Sequence, residues 1–333
     1  MAKTDFNNRF VGLKEESSYG TKATGTYTFG EVDDESIRHQ FDLLNRDDMS
    51  RYGAAKSVNG KEYSEGDFNL ALLNDDFTGY LIAGLMGTDT VSGSSPKVHT
   101  FTEAGTLTSY TFMVGRQEQE HFYTGGVVNS MSVSAALNEY ATISFGVMAK
   151  AENNADLQTV GTTTPTFPDS LPALYFSNAK VFFNGNGTAS DAVRSISFDI
   201  NLNRDGDNAC GLGSTTYIRA PPIQHREISG TIEFNRVLTT TTNGAPSYDD
   251  LIDEDGEEFA GSGVELKVQF GDDSTADLLT FNFYKIRFEA PEANVSGRDT
   301  QTLSVGFTAL FSPDDSKMMD IVMKNSQATS YTA

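Results

Sequence analysis

Sulfur chemistry is nearly missing from this chain, which has one cysteine, Cys210, in 333 residues. That excludes a disulfide framework and any site built from several thiolates. Tryptophan is absent, and histidine occurs only at positions 39, 99, 121 and 225. His39, His99, His121 and His225 show no metal-ligand spacing, and each reads as a surface or partly buried strand residue. Positive charge is scarce: 24 Lys and Arg stand against 46 Asp and Glu, a net charge of −22. Gripping nucleic acid needs clustered Lys and Arg, and an anionic membrane repels such a surface. No apolar run nears the roughly 18 residues of a membrane span. The longest, from Tyr80 to Met86, is broken by Gly84. Met1 to Asn8 has no apolar core, so no signal peptide is expected. Nucleophile elbows, Walker loops and dinucleotide fingerprints are also missing.

What remains is β texture. Thr, Ser, Val, Phe and Tyr fill short alternating runs separated by Gly, Asn and Asp. Ala141, Ile143, Phe145, Val147 and Ala149 share one face of a period-2 run, as do Leu303, Val305, Phe307, Ala309 and Phe311. Further strands are expected over 108–114, 127–135, 195–202, 227–234, 264–270 and 280–289. Asn74-Asp75-Asp76 followed by Phe77, Tyr80, Leu81 and Leu85 predicts one helix, stopped at Gly87. A weaker helix is expected to open at Ser247. The first 24 residues read as an arm, and 153–172, rich in Asn, Thr, Gly and Pro, as a linker.

Two runs resemble metal sites. Asn203-Arg204-Asp205-Gly206-Asp207-Asn208 starts like a calcium loop, but Asn208 and Ser214 stand where Gly and Glu are required. Asp249 to Glu258 is the densest acidic run and reads as an exposed loop. No catalytic, cofactor-binding or metal-binding residue is assigned, and no enzyme activity or cofactor is expected.

The chain repeats itself. Thr142-Ile143-Ser144-Phe145-Gly146-Val147-Met148-Ala149 matches Thr302-Leu303-Ser304-Val305-Gly306-Phe307-Thr308-Ala309 at four of eight positions, 160 residues apart. Phe41 to Asp47 resembles Phe198 to Asp205, Gly66 has a counterpart in Gly230, and Val114-Gly115 in Phe270-Gly271. These pairs keep one order and one approximate offset, which implies duplication. The expected units are an arm 1–24, a first copy 25–152, a linker 153–172 and a second copy 173–333.

Three segments carry a family likeness. They are Glu15-Glu16-Ser17-Ser18-Tyr19-Gly20-Thr21, the block Gly66 to Leu72 followed by Asp76 to Gly87, and Gly125 to Val133 followed by Ala141 to Ala149. Their order resembles the tail tube proteins of long-tailed bacteriophages. The resemblance implies a mainly β fold: two tandem tube-like β-sandwich or barrel domains, each with a short helix, closing an inner β-barrel on oligomerisation. It implies a structural virion protein, assembled in the host cytoplasm into stacked rings that form the tail tube through which DNA is delivered. A duplicated chain favours a trimer with pseudo-sixfold symmetry over a hexamer. The implied partners are the chain itself, tail terminator and tail tip or baseplate proteins, and the tape measure protein inside the tube. DNA would pass transiently, and no membrane is involved. Strands 127–135 with 141–149, and 283–289 with 301–311, are expected in the inner barrel. Ser130, Ser132, Ser134, Thr142, Ser144, Thr302 and Ser304 would form a polar face there. Lys150, Lys285 and Arg287 show that such a wall need not be uniformly acidic. Met1–Thr24 and the loop Asp89–Pro96 are expected to touch a neighbouring ring.

Two other classes compete. A pair of β-sandwich modules binding carbohydrate or a receptor would show exposed aromatics, and this chain has no Trp. An enzyme on a β-scaffold would need acids converging in a cleft.

Overall fold

The computed structural model describes residues 9–47, 49–50, 52–53, 56–152, 156–159, 162–167, 173–241, 243–252, 264–272, 277–291 and 301–332. The first part of the chain holds β1 (Phe10–Glu15), β2 (Thr28–Gly30), β3 (Val32–Glu35), β4 (Arg38–Arg46) and β5 (Lys56–Ala71). Helix α1 (Asp76–Met86) follows. Then come β6 (Gly87–Ser92), β7 (Lys97–Glu103), β8 (Tyr110–Arg116), β9 (Gln119–Ala136), β10 (Thr142–Ala149), β11 (Ala151–Glu152) and β12 (Gln158–Thr159). The later part holds β13 (Ala179–Phe183), β14 (Val193–Asn201), β15 (Glu227–Phe234), α2 (Tyr248–Ile252), β16 (Val264–Gly271), β17 (Leu278–Phe288), β18 (Leu303–Ala309) and β19 (Met319–Asn325). The fold is mainly β, as the alternation implies.

Helix α1 starts where Asp75 accepts the Thr78 N–H at 2.9 Å and ends at the left-handed Gly87, whose N–H reaches the Ala83 carbonyl. It is buried almost all round, with Phe77, Leu81, Ile82, Leu85 and Met86 in the core. Two glycines admit large rings against it: a Cβ on Gly84 would stand 2.7 Å from Tyr110, and one on Gly79 2.5 Å from Tyr331.

Strand β9 runs through two layers. Residues Gln119 to Gly126 pair with β8, and Ser130 to Ala136 pair with β14. Its opposite edge meets β12, β11 and then β10. Gly125, at φ 65, lies where the strand passes from one layer to the next. Strand β17 has a similar course. One edge pairs with β16 as far as Ile286, and the other with β19 and then β18. The hairpin β6–β7 adds to this second outer layer through β7–β19.

Four expectations need correction. Residues 1–24 are not simply an arm, because β1 is a core strand paired with β2 and β8. Glu16 just after it is buried and accepts from the backbone of Gly20 and Gly125 and the hydroxyls of Ser109 and Thr111. Residues 1–8 lie outside the described residues. The expected loop 89–96 is strand β6 as far as Ser92, with Asp89 buried, and loop only from 93 to 96. The linker 153–172, described only in part, contributes β12 to a sheet. Finally, Ile37 is the residue packed on Gly66, whereas Phe198 pairs with Gly230. The similar runs at Phe41 and Phe198 therefore sit at different heights in their hairpins.

A candidate channel wall with free edges

Eight strands lie side by side in the order β4, β5, β10, β9, β14, β15, β18 and the distal end of β17, each antiparallel to its neighbour. One face is core, carrying Phe68, Leu70, Met131, Val133, Ile143, Phe145, Phe198, Ile232, Val305 and Phe307. The period-2 pleat sends the intervening residues to the opposite, open face.

That face is polar and acidic. Ser130, Ser132, Ser134, Thr142, Ser144 and Ser304 lie on it, in the cross-strand pairs Ser132–Ser144 and Ser134–Thr142. Thr302 stands just before β18. Among them rise Glu65, Asp67, Asp199, Glu227, Glu233 and Glu289, against Arg38, Arg194 and Arg287. Lys150 instead packs over Gly20 and Gly125. The sequence reading missed these carboxylates, although Glu65, Asp67 and Asn69 alternate with Phe68 and Leu70 in the same period as the serines.

The junction between β9 and β14 is tightly held. Seven residue pairs join them, from Ser195–Ala136 to Asn201–Ser130. Ser132 donates its hydroxyl to Asp199. Arg204 continues the contact, with its backbone N–H on the Asn129 side chain at 2.9 Å. Its guanidinium donates to the carbonyls of Val128 at 2.8 Å and Pro221 at 2.7 Å. Burial lowers the pKa of Arg204 to about 10, still well above neutrality.

Both ends of the eight-strand sheet are open. Among the described residues, β4 has only β5 as a ladder partner, and β17 past Ile286 has β18 on one edge and none on the other. Unpaired N–H and C=O groups of this kind invite pairing with another chain.

No catalytic arrangement emerges. Asp205 accepts from the backbone and side chain of Asn208, the backbone of Asp207 and the side chain of Gln224, which holds its carboxyl below the ordinary range. The loop that starts like a calcium site is thus a self-satisfied turn, tied to β5 by Lys61–Asp207 at 2.6 Å. His99 is a strand residue, fully buried where a surface or partly buried one was expected, and its ring lies between Asp89 at 2.8 Å and the Gln327 carbonyl at 3.0 Å. His121 meets Glu152. Cys210 sits in the 203–226 loop, and burial raises its thiol pKa. Among the described residues, no group of three or more His, Cys, Asp or Glu is placed to hold a metal ion. Residues 253–258 of the acidic run lie outside the described residues.

A family model described as phage tail tube protein matches residues 7–309. The chain belongs to the phage tail tube protein family. As a tail tube protein it is a structural component of the virion tail, self-assembling into a tube and meeting other tail proteins, and it is not an enzyme. No helix among the described residues is long and apolar enough to cross a membrane. No curated protein matches the chain significantly. The tail-tube-like segments now have structural reasons. Glu16 and Gly20 anchor β1 to the β8–β9 hairpin, Gly66 admits Ile37, and Gly125 carries β9 between layers.

Proposed function

We propose that this tail tube protein carries two copies of the tube domain, 25–152 and 173–333, and that three chains close one ring. The observation that carries the reading is the β9–β14 junction. The first four strands of the open-faced sheet, β4-β5-β10-β9, are followed by β14-β15-β18-β17 with the same pairing order and direction. The junction between the two sets occurs inside one chain, where a single-domain tube protein would need two. Val128 beside Val147 corresponds to Phe288 beside Phe307, keeping the 160-residue offset at the level of paired residues.

In a closed ring the distal edge of β17 meets β4 of the next chain, so neither end of the open-faced sheet is left unpaired. The open face lines the channel. Its carboxylates and hydroxyls repel or ignore DNA phosphates, so the genome slides through without being held. Terminator, tip or baseplate, and tape measure proteins are the partners this role requires at the tube's ends and inside it.

The test is a chain count per ring by electron microscopy and native mass spectrometry of assembled protein. Three chains in six-lobed rings are expected, and residues 1–172 alone should form no normal ring. Six full-length chains per ring, or normal rings from 1–172, would refute the duplicated arrangement.

A further inference from the structure

The two free ends of the open-faced sheet carry opposite charges at particular heights, and the junction inside the chain fixes how those heights meet. On the β4 side the counterparts follow from the pairing with β5. Arg38 stands opposite Glu65 and Gln40 opposite Tyr63, as Asp199 stands opposite Ser229 and Asn201 opposite Glu227. Gly66 and Gly230, each next in sequence, set the two hairpins at one height. Arg38 therefore holds the place of Asp199, and Gln40 that of Asn201.

On the β17 side the counterparts follow from the pairing with β18. Ser130 lies opposite Gly146 of β10, and its hydroxyl fills the space where a Cβ on that glycine would stand. Glu289 donates its N–H to the Gly306 carbonyl at 2.8 Å, and its carboxylate fills the space over Gly306 in the same way. The bulge between Gly146 and Val147 gives the first copy one extra residue. Glu289 therefore holds the place of Ser130.

The β9–β14 ladder sets Ser130 opposite Asn201 and Ser132 opposite Asp199. Carried to the free ends, the same ladder sets Glu289 opposite Gln40 of the next chain and diagonal to its Arg38. Diagonal neighbours across an antiparallel pair are about 7–8 Å apart, within reach of long side chains. Arg287 then stands opposite Asp42. Arg38, Asp42, Arg287 and Glu289 are all exposed, and Arg38 and Glu289 make no ion pair among the described residues. A slip of one residue turns the core face outward. A slip of two sets Glu289 opposite Asp42, like against like.

We infer that Glu289 pairs with Arg38, and Arg287 with Asp42, of the next chain in the ring, and that these ion pairs set the register of the seam between chains. This rests on the ring reading above and adds to it which side chains recognise each other. Inside the chain Ser130 stands where Glu289 does, so added salt weakens the seams between chains and spares the internal one.

The experiment uses the full-length chain. Arg38→Glu and Glu289→Arg, each alone, change exposed side chains and should leave the far-ultraviolet spectrum and melting of the dispersed protein unchanged. Each sets like charges at every seam, and half-assembly into rings should then need about tenfold more protein. Arg38→Glu with Glu289→Arg in one chain restores opposite charges and should assemble at the parental concentration. A one-to-one mixture of the two single variants should be rescued only in part, because a ring of three keeps one seam of like charges. Rescue of the mixture to the level of the double variant would uphold the ion pair and refute the three-chain count. As an independent measurement, Gln40→Cys with Glu289→Cys on a Cys210→Ser background should give disulfide-linked rings that reductant releases. Rings from both single variants at the parental concentration would overturn the inference. A double variant that assembles no better than the singles, or a cysteine pair that stays reduced in rings, would overturn it too. A parent that forms no ring would sink the ring reading, and the seam with it.

Discussion

Replacing Gly79 by Ala sets a methyl group 2.5 Å from Cζ of Tyr331, and the sign of the consequence depends on whether that ring is present. Tyr331 is fully buried near the end of the described chain. Its hydroxyl donates to Asp76 at 2.8 Å and accepts from the Asn325 amide at 2.7 Å. Its ring packs edge-on to Tyr80 at 5.0 Å and tilted against His99 at 4.7 Å. It thereby pins helix α1 to strand β19. Tyr331→Ala should cost about 3–5 kcal/mol as a large-to-small core change. Gly79→Ala gains about 1 kcal/mol of helix propensity but loses roughly 1–3 kcal/mol to overpacking, so it is neutral to destabilising in the parent. With Ala at 331 the steric conflict is gone, and the same Gly79→Ala should stabilise by about 1 kcal/mol. Urea unfolding of dispersed protein, followed by circular dichroism, gives the four free energies of the cycle. A coupling within about 0.5 kcal/mol of zero is what independent sites show, and it would refute the pinning by Tyr331.

Two further outcomes follow from particular side chains. Burial raises the Asp75 carboxyl to about 6 from an ordinary 3.8, so this group's stabilising contribution is full below about 3.8 and is lost as pH rises through 6. Asp75→Asn keeps the Thr78 cap but cannot ionise. Its unfolding free energy relative to the parent should therefore rise by up to about 3 kcal/mol between pH 4 and pH 7, and a constant difference would contradict the shift. Asp67→Lys with Glu227→Lys should leave rings intact and make tubes retain short DNA at low salt, with release as salt rises. Equal retention by parental tubes would remove the repulsive role of the wall.

Where alternation was uninterrupted, sequence and structure agree closely. The expected strand over 227–234 spans those residues, and the helix stops at Gly87 as its cap requires. Alternation failed where both faces of a strand are wet. β4 and the outer half of β5 lie in an exposed ribbon, so their Asp, Asn and Arg positions carry no apolar stripe and neither strand was predicted. It failed again at β1, whose Phe10, Val11 and Leu13 form only a brief apolar run in a polar terminus; its longer ladder is with β8, far along the chain. The serine-rich face was legible because hydroxyls recur every second residue. Its carboxylates come from β5, β14, β15 and the residue after β17, and only strand order brings them together. The run 203–208 starts like a calcium loop because Asx turns and calcium loops use the same residues.

The β9–β14 pairing also has a kinetic meaning. Two strands on one polypeptide meet at an effective concentration set by the connecting segment, in the millimolar range for short flexible links, however dilute the protein becomes. That junction therefore forms with folding and is indifferent to mass action. In the proposed ring only encounters at β4 and β17 respond to dilution, so a chain with one free edge of each kind would need fewer collisions to close a circle than a chain whose every junction is made between strangers.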